Sequence, residues 1–168
     1  MCEINLFWGD YNLLVLEAVE DLNKLIAKKY KDKVTANFQE PTDGFYRLNG
    51  QFFDSRRCVA GFDLFKLPSA DLVFSAHAVV INDLYGIGIG SRLHKLRLDI
   101  VKNAGRDGLV CSVRRDNLPQ IAILRKFGWV LSDLGPETFI AIKSFNGKKS
   151  CTCNLTTLMV GGCKCGGK

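Results

Sequence analysis

The stretch LYGIGIGSRL, residues Leu84 to Leu93, decides the fold that the sequence predicts. It follows an apolar run, Leu72 to Ile81, that is typical of a buried strand, and it leads into Arg92 to Ala104, which is typical of a helix. A glycine-rich turn from a strand into a helix leaves backbone N–H groups unpaired at the positive end of the helix dipole. Such a turn is a ready site for an anionic phosphate, and glycine permits the close approach.

Two common phosphate-binding loops do not match this stretch. The P-loop requires a lysine directly after its second glycine, and no lysine follows these glycines. The dinucleotide fingerprint Gly-x-Gly-x-x-Gly differs from the spacing of Gly86, Gly88 and Gly90. That fingerprint also expects an acidic residue about 20 residues further on, where Asp107 lies in a predicted turn.

The loop resembles the acetyl-CoA loop of the GNAT acetyltransferases, Arg/Gln-x-x-Gly-x-Gly/Ala, which lies between a strand and a helix. A second block of that family is matched by Asn117 to Trp129, with an asparagine, an amphipathic helix and a glycine before the next strand. Asn117 suits a helix N-cap, Pro119 the first helical turn and Gly128 the C′ position. The resemblance covers roughly Leu72 to Ile142 and implies acyl transfer from acetyl-CoA to an amine.

The implied fold class is α/β (α+β), with a mixed, mostly antiparallel central sheet that is flanked by helices and splayed at the acetyl-CoA site. A helix is predicted from a cap at Asp10 to about Lys31, with Val15, Val19, Leu22 and Ile26 on its apolar face. The predicted strands are Val34 to Phe38, Cys58 to Leu64, Leu72 to Ile81, Leu109 to Val113, Trp129 to Asp133 and Thr138 to Lys143. Phe45 to Asp54 is predicted as either a strand or an acceptor-side loop.

The resemblance also implies which residues contact acetyl-CoA. The backbone of the strand end would hold the pantetheine arm, the glycine loop the diphosphate, and an asparagine would contribute a polar contact across the cleft. The residues concerned are Val79, Val80, Ile81, Tyr85, Gly86, Ile87, Gly88, Ile89, Gly90, Ser91 and Asn117.

Two positions depart from the family pattern. Tyr85 stands where the family has Arg or Gln, so a side-chain contact to phosphate is lost or altered. Leu124 stands where many members have a tyrosine that protonates the leaving thiolate, and leucine cannot donate a proton. An alternative therefore stays open: a GNAT-shaped binding module without catalysis, acting through its tail.

His77 is the candidate general base, because an unperturbed imidazole titrates near pH 6.5. In a regular strand it would share a face with Ser75, and a structural hydrogen-bonding role is the competing interpretation. His94, on the following helix, is assigned to the surface or to packing. Weaker candidates for the base are Glu40, Asp54 and Glu137, and candidates for binding an anionic acceptor are Arg56 and Arg57.

Composition excludes some classes of protein. The 168 residues are 47% hydrophobic, which predicts one domain with a full core. No run of about 18 apolar residues suggests a membrane span, and Met1 to Asp10 does not resemble a signal peptide, so a cytoplasmic location is expected. The net charge is +6, of which the five lysines between Lys143 and Lys168 supply +5. The nearly neutral remainder argues against nucleic-acid binding except weakly through the tail.

The sequence suggests a division into an acetyltransferase-like domain, residues 1–146, and a basic cysteine-rich tail, residues 147–168. The tail carries two Cys-x-Cys pairs, Cys151 with Cys153 and Cys163 with Cys165. Four thiolates are the number that a structural zinc ion needs, although the usual spacing within a pair is longer. A zinc knuckle and an unstructured, redox-sensitive tail both remain open.

Overall fold

The computed structural model describes residues 13–31, 33–39, 47–55, 57–67 and 71–146. Its helices are α1 (Leu13–Tyr30), α2 (Ile89–Asn103) and α3 (Leu118–Lys126), with a 3₁₀ turn at Asn82–Leu84. Its strands are β1 (Thr35–Gln39), β2 (Arg47–Phe53), β3 (Cys58–Lys66), β4 (Leu72–Val80), β5 (Gly108–Arg114), β6 (Val130–Asp133) and β7 (Thr138–Ser144).

The seven described strands form one sheet in the order β1-β2-β3-β4-β5-β7-β6. All neighbouring pairs are antiparallel except β4 and β5, which are parallel and are connected through α2. A parallel pair needs such a crossover, because the chain must return to the edge from which the first strand started. The predicted mixed, mostly antiparallel sheet with helices is confirmed. The segment Phe45 to Asp54, predicted as either a strand or a loop, contains the strand β2.

The core forms where helices α1 and α2 pack against each other and against the sheet. Of the apolar face predicted for α1, Val15, Leu22 and Ile26 are fully inaccessible to solvent, and Val19 is half-buried. In β2, buried Leu48 and Phe52 alternate with half-buried residues, so one face of this strand joins the core and the other does not. That second face carries Arg47 and Asn49, which belong to the site described below.

The two helices next to the glycine loop begin as backbone chemistry dictates. Helix α2 begins at Ile89, three residues before the predicted Arg92, because Gly88 already adopts a left-handed conformation with φ of 88° and ends the turn. Helix α3 is capped as predicted, since the Asn117 side chain accepts a hydrogen bond of 3.3 Å from the Gln120 N–H. Gly128 follows this helix with φ of 71°, as its predicted C′ role requires.

Strands β4 and β5 separate soon after they meet. Only residues Leu72–Phe74 of β4 pair with residues Gly108–Val110 of β5. Strand β5, in contrast, stays paired with β7 as far as Arg114. Beyond the split, β4 is displaced by a bulge against β3, where Asp63 pairs with Ala76 but Gly61 pairs with Val79. Two residues of β4 therefore face one of β3, which bends the strand and opens the sheet.

The backbones of β5 and β7 approach each other closely at Gly108. A Cβ atom at this position would lie 2.1 Å from the carbonyl oxygen of Lys143. We expect Gly108→Ala to reduce the free energy of unfolding by at least about 2 kcal/mol, because the backbone must shift to relieve the contact. A matched control is Gly135→Ala, where a Cβ meets nothing within 4 Å and the change should stay within about 0.5 kcal/mol. Urea denaturation of the two variants checks this, and equal midpoints would contradict it.

Candidate functional site

The glycine loop ends in an unpaired helix N-terminus. Gly88 is the N-cap of α2, and no side chain accepts a hydrogen bond from the first turn. The first N–H that finds a helical carbonyl is that of Arg92, which donates to Gly88 at 3.2 Å. The N–H groups of Ile89, Gly90 and Ser91 therefore stay available for an external anion.

Gly88 leaves space that any other residue would fill. A Cβ at this position would lie 2.9 Å from Nη1 of Arg92, and the left-handed φ disfavours side chains in any case. The Arg92 guanidinium thus adds a positive charge beside the N–H groups. Sequence reasoning did not identify Arg92, although its place four residues after Gly88 puts it one helical turn further on.

A cleft of about 540 Å³, here named the loop cleft, opens over this turn. It is lined by the end of β4, the glycine loop and the start of α3: Ala78, Val80, Leu84, Tyr85, Gly86, Gly88, Ile89, Gly90, Ser91, Asn117, Pro119, Gln120 and Ile123. Eight of the eleven residues predicted to contact acetyl-CoA are among them.

The other three predicted contacts lie outside this lining. Val79 pairs with Gly61 and is 57% exposed, and Ile87 is 38% exposed. The N–H of Ile81 is already used, because it donates to the carbonyl of Val59 at 3.0 Å. Of the predicted strand-end contacts, Val80 alone lines the cleft.

A second cleft of about 390 Å³, here named the split cleft, lies where β4 and β5 diverge. Its lining combines β4, β5 and the inner side of α2: Phe74, Ser75, Ala76, His77, Ala78, Arg97, Cys111, Ser112, Val113, Arg114, Asn117 and Gln120. It shares Ala78, Asn117 and Gln120 with the loop cleft. The two clefts therefore adjoin.

His77 lies at the bulge of β4, where its φ of 47° turns it out of the regular strand. Its side chain is 75% exposed, and Nδ1 lies 2.8 Å from Oδ2 of Asp63. The strand is therefore not regular at this point, and His77 does not share a face with Ser75. His77 lies with Asp63, whereas Ser75 bonds to Arg97 on helix α2.

Asp63 is a buried carboxylate held by donors. Burial alone would raise its pKa, but hydrogen bonds from Asn49, His77 and Arg47 outweigh burial and hold the pKa below its usual value. The Oδ1 atom accepts from Asn49 at 2.8 Å and from Arg47 Nε at 2.9 Å, which leaves Oδ2 for His77.

An ionised carboxylate only accepts hydrogen bonds, so Nδ1 of His77 donates to Asp63, and in the neutral form of the ring this leaves a lone pair on Nε2. This is the tautomer that a general base needs. Sequence reasoning missed Asp63, although an aspartate inside the apolar strand Cys58 to Leu64 was a usable signal, since charged residues are rarely buried without a partner.

The fold is shared with solved structures. An IAA acetyltransferase from Bacillus cereus ATCC 14579 superposes with a TM-score of 0.56 at 12% identity, covering 67% of this chain and 100% of that one. The ribosomal-protein-S18-alanine N-acetyltransferase from Escherichia coli matches with a TM-score of 0.54 at 17% identity, covering 83% and 95%. A GNAT family acetyltransferase from Elizabethkingia anophelis with acetyl-CoA bound gives 0.55 at 12% identity, covering 67% and 98%.

The chain has the GNAT fold. This likeness is one of structure, because no protein-family model matches the sequence and no curated protein matches it significantly.

Within this GNAT fold, the two departures noted in the sequence lie in different surroundings. Tyr85 lines the loop cleft and is 65% exposed, so its ring is available to a ligand. Leu124 is fully buried in the core and lines neither cleft. Leucine has no group that can donate a proton.

The weaker candidates that lie among the described residues line neither cleft. Asp54 and Glu137 are absent from both linings. Arg57 pairs with Asp83 at 3.0 Å, which satisfies part of its guanidinium. Glu40 and Arg56 lie outside the described residues.

His94 lies in a buried polar cluster between α2 and the start of β6, so its predicted packing role is the correct one. It is 1% exposed and contacts Arg97 through Nδ1 at 3.0 Å and the Trp129 indole N–H through Nε2 at 2.9 Å. Burial, and secondarily the charge of Arg97, lowers its pKa from 6.5 to about 3. The imidazole is therefore neutral throughout the physiological range.

This shift makes stability depend on pH. Above pH 6.5, His94 is neutral in both the folded and the unfolded chain. Below pH 6.5, His94 of the unfolded chain gains a proton, whereas His94 of the folded chain does not take one up until about pH 3. We expect this group to lower the free energy of unfolding by about 1.4 kcal/mol per pH unit from about pH 6 to pH 4. The measurement is the free energy of unfolding as a function of pH for the parent and for His94→Gln. The difference between the two slopes isolates His94, because the carboxylates contribute equally to both proteins. Parallel slopes would contradict it.

Metal binding by the described residues has no structural support. They contain no group of three or more His, Cys, Asp or Glu side chains that could hold an ion. Cys151, Cys153, Cys163 and Cys165 lie outside the described part of the chain, so the zinc knuckle stays a prediction, as does the domain division at residue 146. None of the described helices combines the length and apolar character that crossing a membrane needs.

Proposed function

We propose that the chain is an acetyl-CoA-dependent N-acetyltransferase that transfers an acyl group to an amine. The observation that carries this proposal is the junction of the two clefts. A turn whose free N–H groups suit a phosphate lies at one end, and a histidine with a carboxylate partner lies at the other. The fold shared with acetyltransferases supports the same reaction class.

The residues present fit a CoA thioester. Its diphosphate would lie on the N–H groups of Ile89, Gly90 and Ser91, in the space that the missing side chain of Gly88 leaves free. Its arm would run past Val80 and Asn117 toward the split between β4 and β5. The bound thioester would supply an activated carbonyl carbon for the amine to attack.

His77 would act as the general base. The Asp63 carboxylate fixes Nδ1 as the donor, so Nε2 takes the proton from the attacking amine as the C–N bond forms and the C–S bond breaks. Asp63 also stabilises the imidazolium that results, because it is held ionised by Arg47 and Asn49. A thiol has a pKa of about 8.5, so the thiolate can leave and be protonated by water without a donor at position 124.

The acceptor is an amine of a small molecule or of a protein. The basic cysteine-rich tail, residues 147–168, is proposed as an appended segment that binds zinc or an acidic partner, and a cytoplasmic location suits this reaction. The alternative from the sequence, a non-catalytic binding module, finds no support among the described residues.

The test is turnover. The purified full chain is incubated with acetyl-CoA and a panel of amines, including amino acids, polyamines, aminoglycosides and peptides with free N-termini. Release of free thiol and the mass of the acylated product are measured. We expect at least one amine to be acetylated at a rate that depends on His77. CoA binding without transfer to any amine would favour the binding module, and no CoA binding at all would refute the proposal.

A further inference from the structure

We infer that the split cleft binds a carboxylate at Arg97, and that this carboxylate is the far end of the transferred acyl group. The preferred donor would then be the CoA thioester of a short dicarboxylic acid, such as a malonyl, succinyl or glutaryl group, with acetyl-CoA a weaker substrate. This inference rests on the proposed function and specifies its donor.

Arg97 is a buried cation at the point where the strands divide. It projects from α2, is 5% exposed and lines the split cleft. Its Nη1 donates to Ser75 Oγ at 2.7 Å, directly after the last residue of β4 that pairs with β5. Its Nε is buried and has no hydrogen-bond partner.

The cluster around Arg97 has more donors than acceptors. A neutral imidazole offers one lone pair, yet both ring nitrogens of His94 face groups that can only donate, the Arg97 guanidinium and the Trp129 indole. Only one of these two contacts can be a normal hydrogen bond. Together with the unpartnered Nε, this leaves Arg97 short of acceptors, which is costly for a buried charge.

No countercharge is present in the described part of the chain. No carboxylate there lies within 4 Å of Arg97, whereas Arg47, Arg106 and Arg115 each pair with one. The nearby Cys111 thiol is not a substitute, because burial raises its pKa to about 11 and keeps it neutral. The planar fork of an arginine matches a carboxylate, which would supply both the charge and the missing acceptors.

The position of Arg97 favours the acyl group over the acceptor as the source of this carboxylate. Ser75 and Arg97 lie on the side of the sheet covered by α2. His77 bonds to Asp63, and Asp63 accepts a hydrogen bond from Asn49, whose side chain lies on the face of β2 opposite the buried Leu48. An amine that approaches His77 therefore comes from the other side, and the acyl chain is the part of the substrates that points through the split toward Arg97.

The transfer step is unchanged by this assignment. The amine nitrogen forms a bond to the thioester carbon, the C–S bond breaks, and His77 takes the amine proton while the thiolate leaves. The distal carboxylate stays ionised and is carried intact into the amide product. Arg97 binds and orients the acyl group.

The test compares the dissociation constants of malonyl-, succinyl- and glutaryl-CoA with those of acetyl-CoA and of butyryl-CoA, which has a similar length and no carboxylate. Isothermal titration of the full chain provides these values. We expect at least one of the three acidic donors to bind at least 10-fold more tightly than both neutral ones. Arg97→Met should abolish this preference, and Lys102→Met is the matched control, since it removes a charge from an exposed position of the same helix that lines neither cleft and should leave the preference intact.

A second variant covers the possibility that Arg97→Met does not fold. Ser112 lines the split cleft and is exposed, so Ser112→Asp adds a negative charge there without disturbing the core. It should reduce the preference for acidic donors by at least 5-fold.

Three outcomes overturn the inference. Acidic and neutral donors that bind equally would refute it while leaving the proposed function standing, and no binding of any CoA species would remove both. A stabilisation by free glutamate or aspartate that needs Arg97, without any donor preference, would assign the carboxylate to the acceptor instead.

Discussion

Gly88→Glu is expected to weaken acetyl-CoA binding by at least about 100-fold, which corresponds to roughly 2.7 kcal/mol. The new side chain would start 2.9 Å from Arg92 Nη1 and would fill the space in front of the unpaired N–H groups. Its carboxylate would also pair with the Arg92 guanidinium and repel the diphosphate. Both effects act on the same end of the ligand, and calorimetric titration with acetyl-CoA measures their sum.

The control for this variant must share its backbone strain. Gly105 also has a left-handed backbone, with φ of 70° against 88° for Gly88, and a Cβ there meets nothing within 4 Å. Gly105→Glu therefore imposes a similar conformational cost, about 1 kcal/mol, and the same charge, but at the other end of α2. It should leave acetyl-CoA affinity within about threefold of the parent value, on the order of 0.6 kcal/mol. Equal affinities of the two variants would mean that the loop does not bind the diphosphate.

His77→Asn is expected to lower kcat/KM for acyl transfer by about 100-fold to 10,000-fold, the range associated with a positioned general base. Asparagine tolerates the left-handed φ of 47° better than most residues, so the bulge should survive the change. The amide has no basic nitrogen to accept the amine proton. Steady-state kinetics with the best amine from the panel provide the measurement.

Binding separates this role from a structural one. His77 does not line the loop cleft that would hold the diphosphate, so acetyl-CoA affinity should stay within about threefold. Asp63→Asn is the companion variant. The asparagine amide can donate to Nδ1 of His77, which moves the ring proton to Nε2. The imidazole then remains in place but has no lone pair on Nε2 to act as the base. Retention of most activity by both variants would assign the base to another group.

Local sequence was sufficient to predict the elements that surround the glycine loop. The caps at Asn117 and Gly128 depend on neighbouring residues and were anticipated correctly. The start of α2 was predicted three residues too late, at Arg92, because the left-handed Gly88 ends the turn and the helix begins at Ile89. Helix ends are the least determined part of a sequence-based prediction.

The site itself depends on contacts between distant residues. The bulge that turns His77 toward Asp63 arises from the register of β3 against β4, which no local pattern specifies. The surroundings of Arg97 also depend on distant residues, although its position in the sequence gave a usable signal. It falls four residues after Leu93 and three before Ile100, within the buried face of α2, and a charge on such a face signals a buried polar cluster.

The most direct test of the central claim is an NMR titration of the isotope-labelled full chain with acetyl-CoA, following each backbone amide. If one acyl-CoA occupies the loop cleft and the split cleft together, saturable shifts should concentrate in residues 86–91 and at Ala78, Val80 and Asn117, with an affinity in the micromolar range of about −8 kcal/mol. Binding that leaves these amides unchanged, or no binding by a folded sample at millimolar ligand, would contradict the account.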